Sequence, residues 1–158
     1  MDVSRAMREV LSFSLEKQLS LSNWEEALKE FTQHVEDAGV LVMSNSKVEN
    51  NSTRKLLVQE FRGFALSDPL APLIFLNTAD SKAARMFILV HELAHLWLGD
   101  SGISDVGISQ DGMHNHEVWC NAVAAEFLLP RDALESVYKK RRKTPTLYGL
   151  EIKGAKKA

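Results

Sequence analysis

One run constrains this chain more than any other: Met86 to Leu98, MFILVHELAHLWL, closed by Gly99. Ten of its thirteen residues are apolar, on every side of the helix that such a run predicts. A helix that is apolar all round is a buried one, so this segment must form the centre of the molecule. Yet it carries His91, Glu92 and His95. Burying a carboxylate and two imidazoles costs several kcal/mol unless something compensates them, so their presence calls for a reason.

Their spacing supplies one. His91 and His95 are four residues apart and stack on one face of a helix, one turn from each other. Two imidazole nitrogens can then meet a single ion. Glu92 is rotated by about 100° from His91, too far to bind the same ion easily but near enough to reach a water on it. This H-E-x-x-H arrangement is that of zinc metallopeptidases.

A catalytic zinc takes three protein ligands and leaves one position open, so a third donor should come from another element. Cys120, His114, His116, Glu117 and Glu126 are within reach in the next helical stretch. Glu117 and Asn121 are i and i+4 and share a face, whereas Glu126 is about half a turn away from Glu117. Only one of the two glutamates can face the ion. Glu117 is favoured, because Asn121 one turn on is suited to accept the outer N–H of a ligating histidine. Cys120 is not excluded by phase, although a small buried residue is the commoner role for a free cysteine. His114 and His116 are expected at the start of the helix.

Elsewhere the periodicity is plainer. Residues 3–19 carry a weak helical pattern. Ser22 and Glu25 have capping-box spacing, Trp24, Leu28, Phe31 and Val35 form one stripe, and Gly39 suits a helix stop. His34 lies beside that stripe with no metal-binding neighbour and reads as structural. Strands are expected at 40–43, 55–66 and 73–77. Their links are short, which favours antiparallel pairing. The long helix should begin near Thr78 or Asp80 and stop at Gly99, followed by a glycine-rich loop over 99–113, a helix over 115–129 ended by Pro130, and another over 131–140. The expected class is α+β: a small, mainly antiparallel three-stranded sheet packed with the HExxH helix and further helices.

Composition sets the outer limits. The 158 residues suffice for a single domain with a sizeable core. A net charge of −2 gives no general affinity for polyanions. The basic run KKRRK at 139–143 reads as a solvated helix end, and direct nucleic-acid binding is disfavoured. One cysteine, no signal-peptide core and no long apolar span point to a cytoplasmic protein with no membrane partner.

HELAHLWLG followed by HEVWCNAVAAEFLLP resembles the ImmA/IrrE family of zinc-dependent endopeptidases, and FRGFALSDPLAPLIFLNTADSKAARMFILVHELAH resembles the family's strand–loop–strand–helix run. The resemblance spans about residues 55–131. It implies a gluzincin-like, zincin-type metallopeptidase fold, zinc as cofactor, His91, His95 and Glu117 as ligands and Glu92 as catalytic base. Cys120 and Val123 stand where the family pattern has alanine and phenylalanine, and neither removes a catalytic group. Many relatives carry an N-terminal helix-turn-helix domain, of which the first 54 residues hold no convincing version. One metallopeptidase domain is therefore expected over 1–158, its core at about 22–140 and its basic tail at 141–158 loosely held. Relatives cleave repressor-type transcription factors, so the resemblance implies a regulatory peptidase with a protein substrate. A second oxyanion donor is sought among Tyr138, Tyr148, His114 and His116, and a substrate strand could add to an exposed sheet edge. The rival readings are a catalytically silent zinc-binding sensor or interaction module, and a DNA-associated accessory protein.

Overall fold

A computed structural model describes residues 3–47, 56–99, 102–103, 111–142, 146–147 and 150–151. The chain falls into two compact units, Met1–Leu128 and Leu129–Ala158. In the first, three helices, α1 (Val3–Val10), α2 (Leu15–Ser20) and α3 (Trp24–Asp37), precede strands β1 (Leu41–Asn45), β2 (Gly63–Leu66) and β3 (Leu73–Asn77). Helix α4 (Lys82–Leu98), strand β4 (Gly102–Ile103) and helix α5 (Asp111–Leu128) follow. The architecture is α+β, as expected.

The weak pattern over 3–19 resolves into two helices broken at Leu11–Ser14, where Ser12 has a positive φ of 51°. Ser14 then caps α2 by accepting from the Lys17 N–H. These helices belong to the core: Met7, Leu11 and Phe13 are buried. The Phe13 ring meets Phe31 of α3 at 5.1 Å between centroids, and Phe31 meets Phe127 of α5 at 5.3 Å. The Arg8 guanidinium lies 4.3 Å from the centre of the Phe127 ring and donates to the Phe127 and Phe13 carbonyls, while Gln18 Nε2 donates to the Leu128 carbonyl. The last carbonyls of a helix lack partners within it, so α1 and α2 clasp the end of α5.

Helix α3 is capped one residue later than the Ser22 spacing suggested. Asn23 Oδ1 accepts from the Glu25 and Glu26 N–H groups, and the Ser22 N–H donates to Glu26. Asparagine competes well with serine at this position, and here the extended Asn23 backbone occupies it. Trp24, the first residue of the helix, is exposed, and the buried face is Ala27, Phe31 and Val35. His34 Nδ1 donates to the Leu11 carbonyl at 2.9 Å and the ring packs edge-on to Phe13, a structural role.

The strands form a sheet of order β1-β3-β2-β4. Antiparallel pairing holds for β2 with β3 and for β2 with β4, but β1 and β3 run parallel, Leu41 opposite Leu73. The expectation of short antiparallel links failed there because β1 does not pair with its successor. The chain between β1 and β3 contains β2 and is long enough for a crossover. The second strand is also shorter than the apolar run 55–66. Residues 58–60 make a turn, closed by the Glu60 and Phe61 N–H groups donating to Leu57 O. Part of the expected 99–113 loop is structured too: Gly102–Ile103 is β4 and α5 starts at Asp111. Residues 104–110 lie outside the described residues.

Strand alternation splits the sheet into two faces. Ala65, Ile74 and Leu76 are buried with the α4 residues Ile88 and Leu89 in the main core. The opposite face carries Leu41, Met43 and Leu66, each about half exposed, and the stacked Phe64 and Phe75 rings, 5.2 Å apart.

In the second unit, α6 (Arg131–Arg142) precedes β5 (Thr146–Leu147) and β6 (Leu150–Glu151), which pair antiparallel. Glu135 accepts from Arg131 one turn before it and from Lys139 one turn after it, so the described side chain at the start of KKRRK belongs to an exposed ion-pair ladder. Lys143 lies outside the described residues. No helix among them is long and apolar enough to cross a membrane.

Candidate metal centre

Helix α4 is fixed at both ends. Ser81 is its N-cap, accepting from the Ala84 N–H, rather than Thr78 or Asp80. The chain needs Asn77 and Asp80 for the turn before it: Asn77 Oδ1 accepts from Ala79 and Asp80 Oδ1 from Ser81. Gly99 ends the helix at φ 74°, a left-handed cap that favours glycine. Between these ends the helix buries one continuous stretch from Ile88 to His95. His91, Glu92 and His95 are all buried, Glu92 completely.

Helix α5 packs along α4 and brings Glu117 to the histidines. Glu117 Oε2 lies 3.2 Å from His91 Nε2, Glu117 Oε1 lies 3.1 Å from His95 Nε2, and the two Nε2 atoms are 3.1 Å apart. Among the described residues these three are the group of His, Cys, Asp or Glu side chains that could hold a metal ion. The donor set fits one. Four ligands placed tetrahedrally at 2.0–2.1 Å from zinc stand about 3.3 Å from each other, close to the observed separations. Two imidazoles and one carboxylate are also donors that zinc accepts, and the half-exposed Glu117 leaves the group open on one side.

The protonation of His91 suits the same purpose. Burial, and next the neighbouring His95, push its pKa below the ordinary 6.5, while Glu117 and the Asn121 amide pull it up. The ring is therefore neutral near pH 7, with its lone pair available to an ion. His91 Nδ1 is buried and makes no hydrogen bond of good geometry among the described residues. The exposed Asn121, one turn beyond Glu117, is the side-chain amide that acts on this ring. Phe87, one turn before His91, lies against its other side at 6.2 Å.

Glu92 points elsewhere, towards the sheet. A Cβ placed on Gly63 of β2 would lie 3.5 Å from Glu92 Oε1, 2.6 Å from Ile88 Cγ2 and 2.8 Å from the Phe75 carbonyl. The carboxylate is thus wedged between its own helix and a strand backbone that comes this close only because residue 63 has no side chain. A glycine inside a strand often marks close backbone approach, and Gly63 within the apolar run 55–66 carries that signal.

Of the other candidates in the first unit, the described side chains do not join the three donors. Cys120 is wholly buried in the core, and Glu126 is half-buried, nine residues beyond Glu117 along α5. His116 is exposed. The His114 side chain and Tyr148 lie outside the described residues. Tyr138 is an exposed residue of the second unit. A substrate strand approaching the β2 side of the sheet would meet β4, which already pairs with Phe64 and Ala65.

Comparison with known proteins adds one finding. The family model described as Peptidase_M78, IrrE N-terminal-like domain, matches residues 35–153, well over half of the chain. No curated protein matches it.

Proposed function

Since the chain belongs to the IrrE N-terminal-like peptidase family, which implies a metal and a protein substrate, we propose that it is a zinc-dependent endopeptidase that cleaves a repressor-type transcription factor in the cytoplasm. The observation that carries the reading is the convergence of His91, His95 and Glu117 within 3.2 Å of one another, one residue from a fully buried Glu92.

His91, His95 and Glu117 would hold the ion. Zinc, when bound, supplies Lewis acidity that makes a water nucleophilic near neutral pH and draws charge from a carbonyl oxygen. Glu92 performs the proton transfer: its carboxylate takes the proton that the attacking water must lose and returns it to the departing amine nitrogen. Gly63 lets the β2 backbone come close to the carboxylate from the strand side. Asn121 orients His91, so the ring presents Nε2 to the ion.

The test compares host-cell proteins incubated with the zinc-loaded wild type and with Glu92→Gln. Both should contain one zinc per chain, and only the wild type should generate new peptide termini, in a transcription repressor. A wild type that binds zinc and leaves every protein intact would make the chain a silent zinc-binding sensor. Cleavage by Glu92→Gln at the wild-type rate would remove Glu92 from the mechanism.

A further inference from the structure

On the side of α4 away from the histidines lies a cavity of about 300 Å³. Leu93 and Trp97, each two residues after a histidine, are turned about 200° from them around the helix. With Leu96 they form one wall. Met7, Val10 and Leu11 at the end of α1 form another, and Val40, Ser67, Asp68 and Pro72 close the sheet side. Its size is at the lower end of small-molecule sites and about twice that of a cavity that accepts benzene.

Among the described residues the lining is apolar except at Ser67 and Asp68, and of these Asp68 is charged. That carboxylate is exposed and is built to stay ionised: Oδ1 accepts from the Leu70 and Ala71 N–H groups, which hold its pKa below the ordinary value. Trp97, about half exposed, adds an aromatic face, and the negative face of an indole attracts cations. The described lining residues include no cationic side chain.

We propose that this cavity is a binding site for a small organic cation, its apolar body seated against Leu11, Leu93 and Leu96 and its ammonium group at Asp68. The charge selects against carboxylates and phosphates, and the volume limits the body to about one ring with a short chain. The site is separate from the metal donors and does not depend on peptidase activity.

Phenethylammonium, phenethyl alcohol and hydrocinnamate share one apolar body and differ in charge. Each is titrated into the full chain, with binding followed by calorimetry and by methyl NMR. The ammonium should bind saturably, shift the methyls of Val10, Leu11, Leu93 and Leu96, and bind about tenfold tighter than the alcohol, since an exposed ion pair and a cation–π contact each contribute modestly. Hydrocinnamate should bind weakest. Asp68→Asn keeps the Oδ1 acceptor of the turn while removing the charge, and should erase the preference for the ammonium. Trp97→Ala should weaken the ammonium more than the alcohol. Equal affinities for the three probes, a preference surviving in Asp68→Asn, or shifts confined to methyls outside the lining would overturn the proposal.

Discussion

Gly63→Ala is a single added methyl whose effect can be worked out from the coordinates. The new Cβ would stand 2.6 Å from Ile88 Cγ2, about 1 Å inside an ordinary carbon–carbon contact of 3.5–4.0 Å. Relief on the strand side is blocked. The Phe75 carbonyl, 2.8 Å away, belongs to β3, and β3 is tied to β2 with Gly63 opposite Leu76. The helix must therefore give way. Ile88 and Glu92 are i and i+4 on the same face, so displacing one displaces the other. Overpacking of this kind costs about 1–3 kcal/mol, and in a domain of this size each kcal/mol lowers Tm by about 2–4 °C. Misplacing a catalytic group by about 1 Å costs on the order of 100-fold in rate. Gly63→Ala should therefore lose several degrees in a calorimetric melt and fall about 100-fold in kcat on a quenched-fluorescent peptide mixture, while retaining one zinc per chain. Adding Ile88→Ala should recover part of the rate by clearing the nearer contact. Unchanged Tm and kcat in the single variant would refute the argument. Loss of zinc would show that the methyl acts on the ligands and not on Glu92.

Glu117→Ala should weaken zinc binding far more than Glu126→Ala in competitive chelator titrations, and the reverse order would reassign the third donor. Phe31→Ala should destabilise the fold by about 3–5 kcal/mol in urea denaturation, because the ring is wholly buried between Phe13 and Phe127. Asn23→Ala should cost about 1 kcal/mol by the same measurement, and Ser22→Ala almost nothing, since the cap of α3 is Asn23.

The helices that carry the site were readable because several signals agreed on them. In α4 the apolar run and Gly99 at the end fix the helix and its stop, although its cap is Ser81 and not Thr78 or Asp80, and the histidine spacing follows from helical geometry. The phase of α5 allowed only one of Glu117 and Glu126 to face the histidines, and Asn121 one turn on favoured Glu117. The sheet was less legible. Parallel pairing of β1 with β3 depends on which strand lies between them in space, and nothing local in LVMSN or LIFLN encodes it. The apolar residues Leu57 and Phe61 read as strand because hydrophobicity cannot distinguish a strand from a turn packed on aromatic rings, as Phe61 packs on Phe64 and Phe75. The N-terminal helices were underrated for a related reason. Residues 3–19 are short of periodicity because their buried apolar residues, Ala6, Met7, Leu11 and Phe13, are few, and Phe31 and Phe127, the ring partners of Phe13, are remote in sequence.

The donors come from two helices, and this has a consequence outside catalysis. An ion shared by His91, His95 and Glu117 is a cross-link present only in the folded chain. At a free concentration a thousandfold above its Kd, such an ion would add about 4.1 kcal/mol to the folding free energy, a large part of what a typical domain possesses. Scarcity of metal would then expose the protein to degradation before it limited turnover, and the amount of this peptidase in a cell would itself become a readout of metal supply.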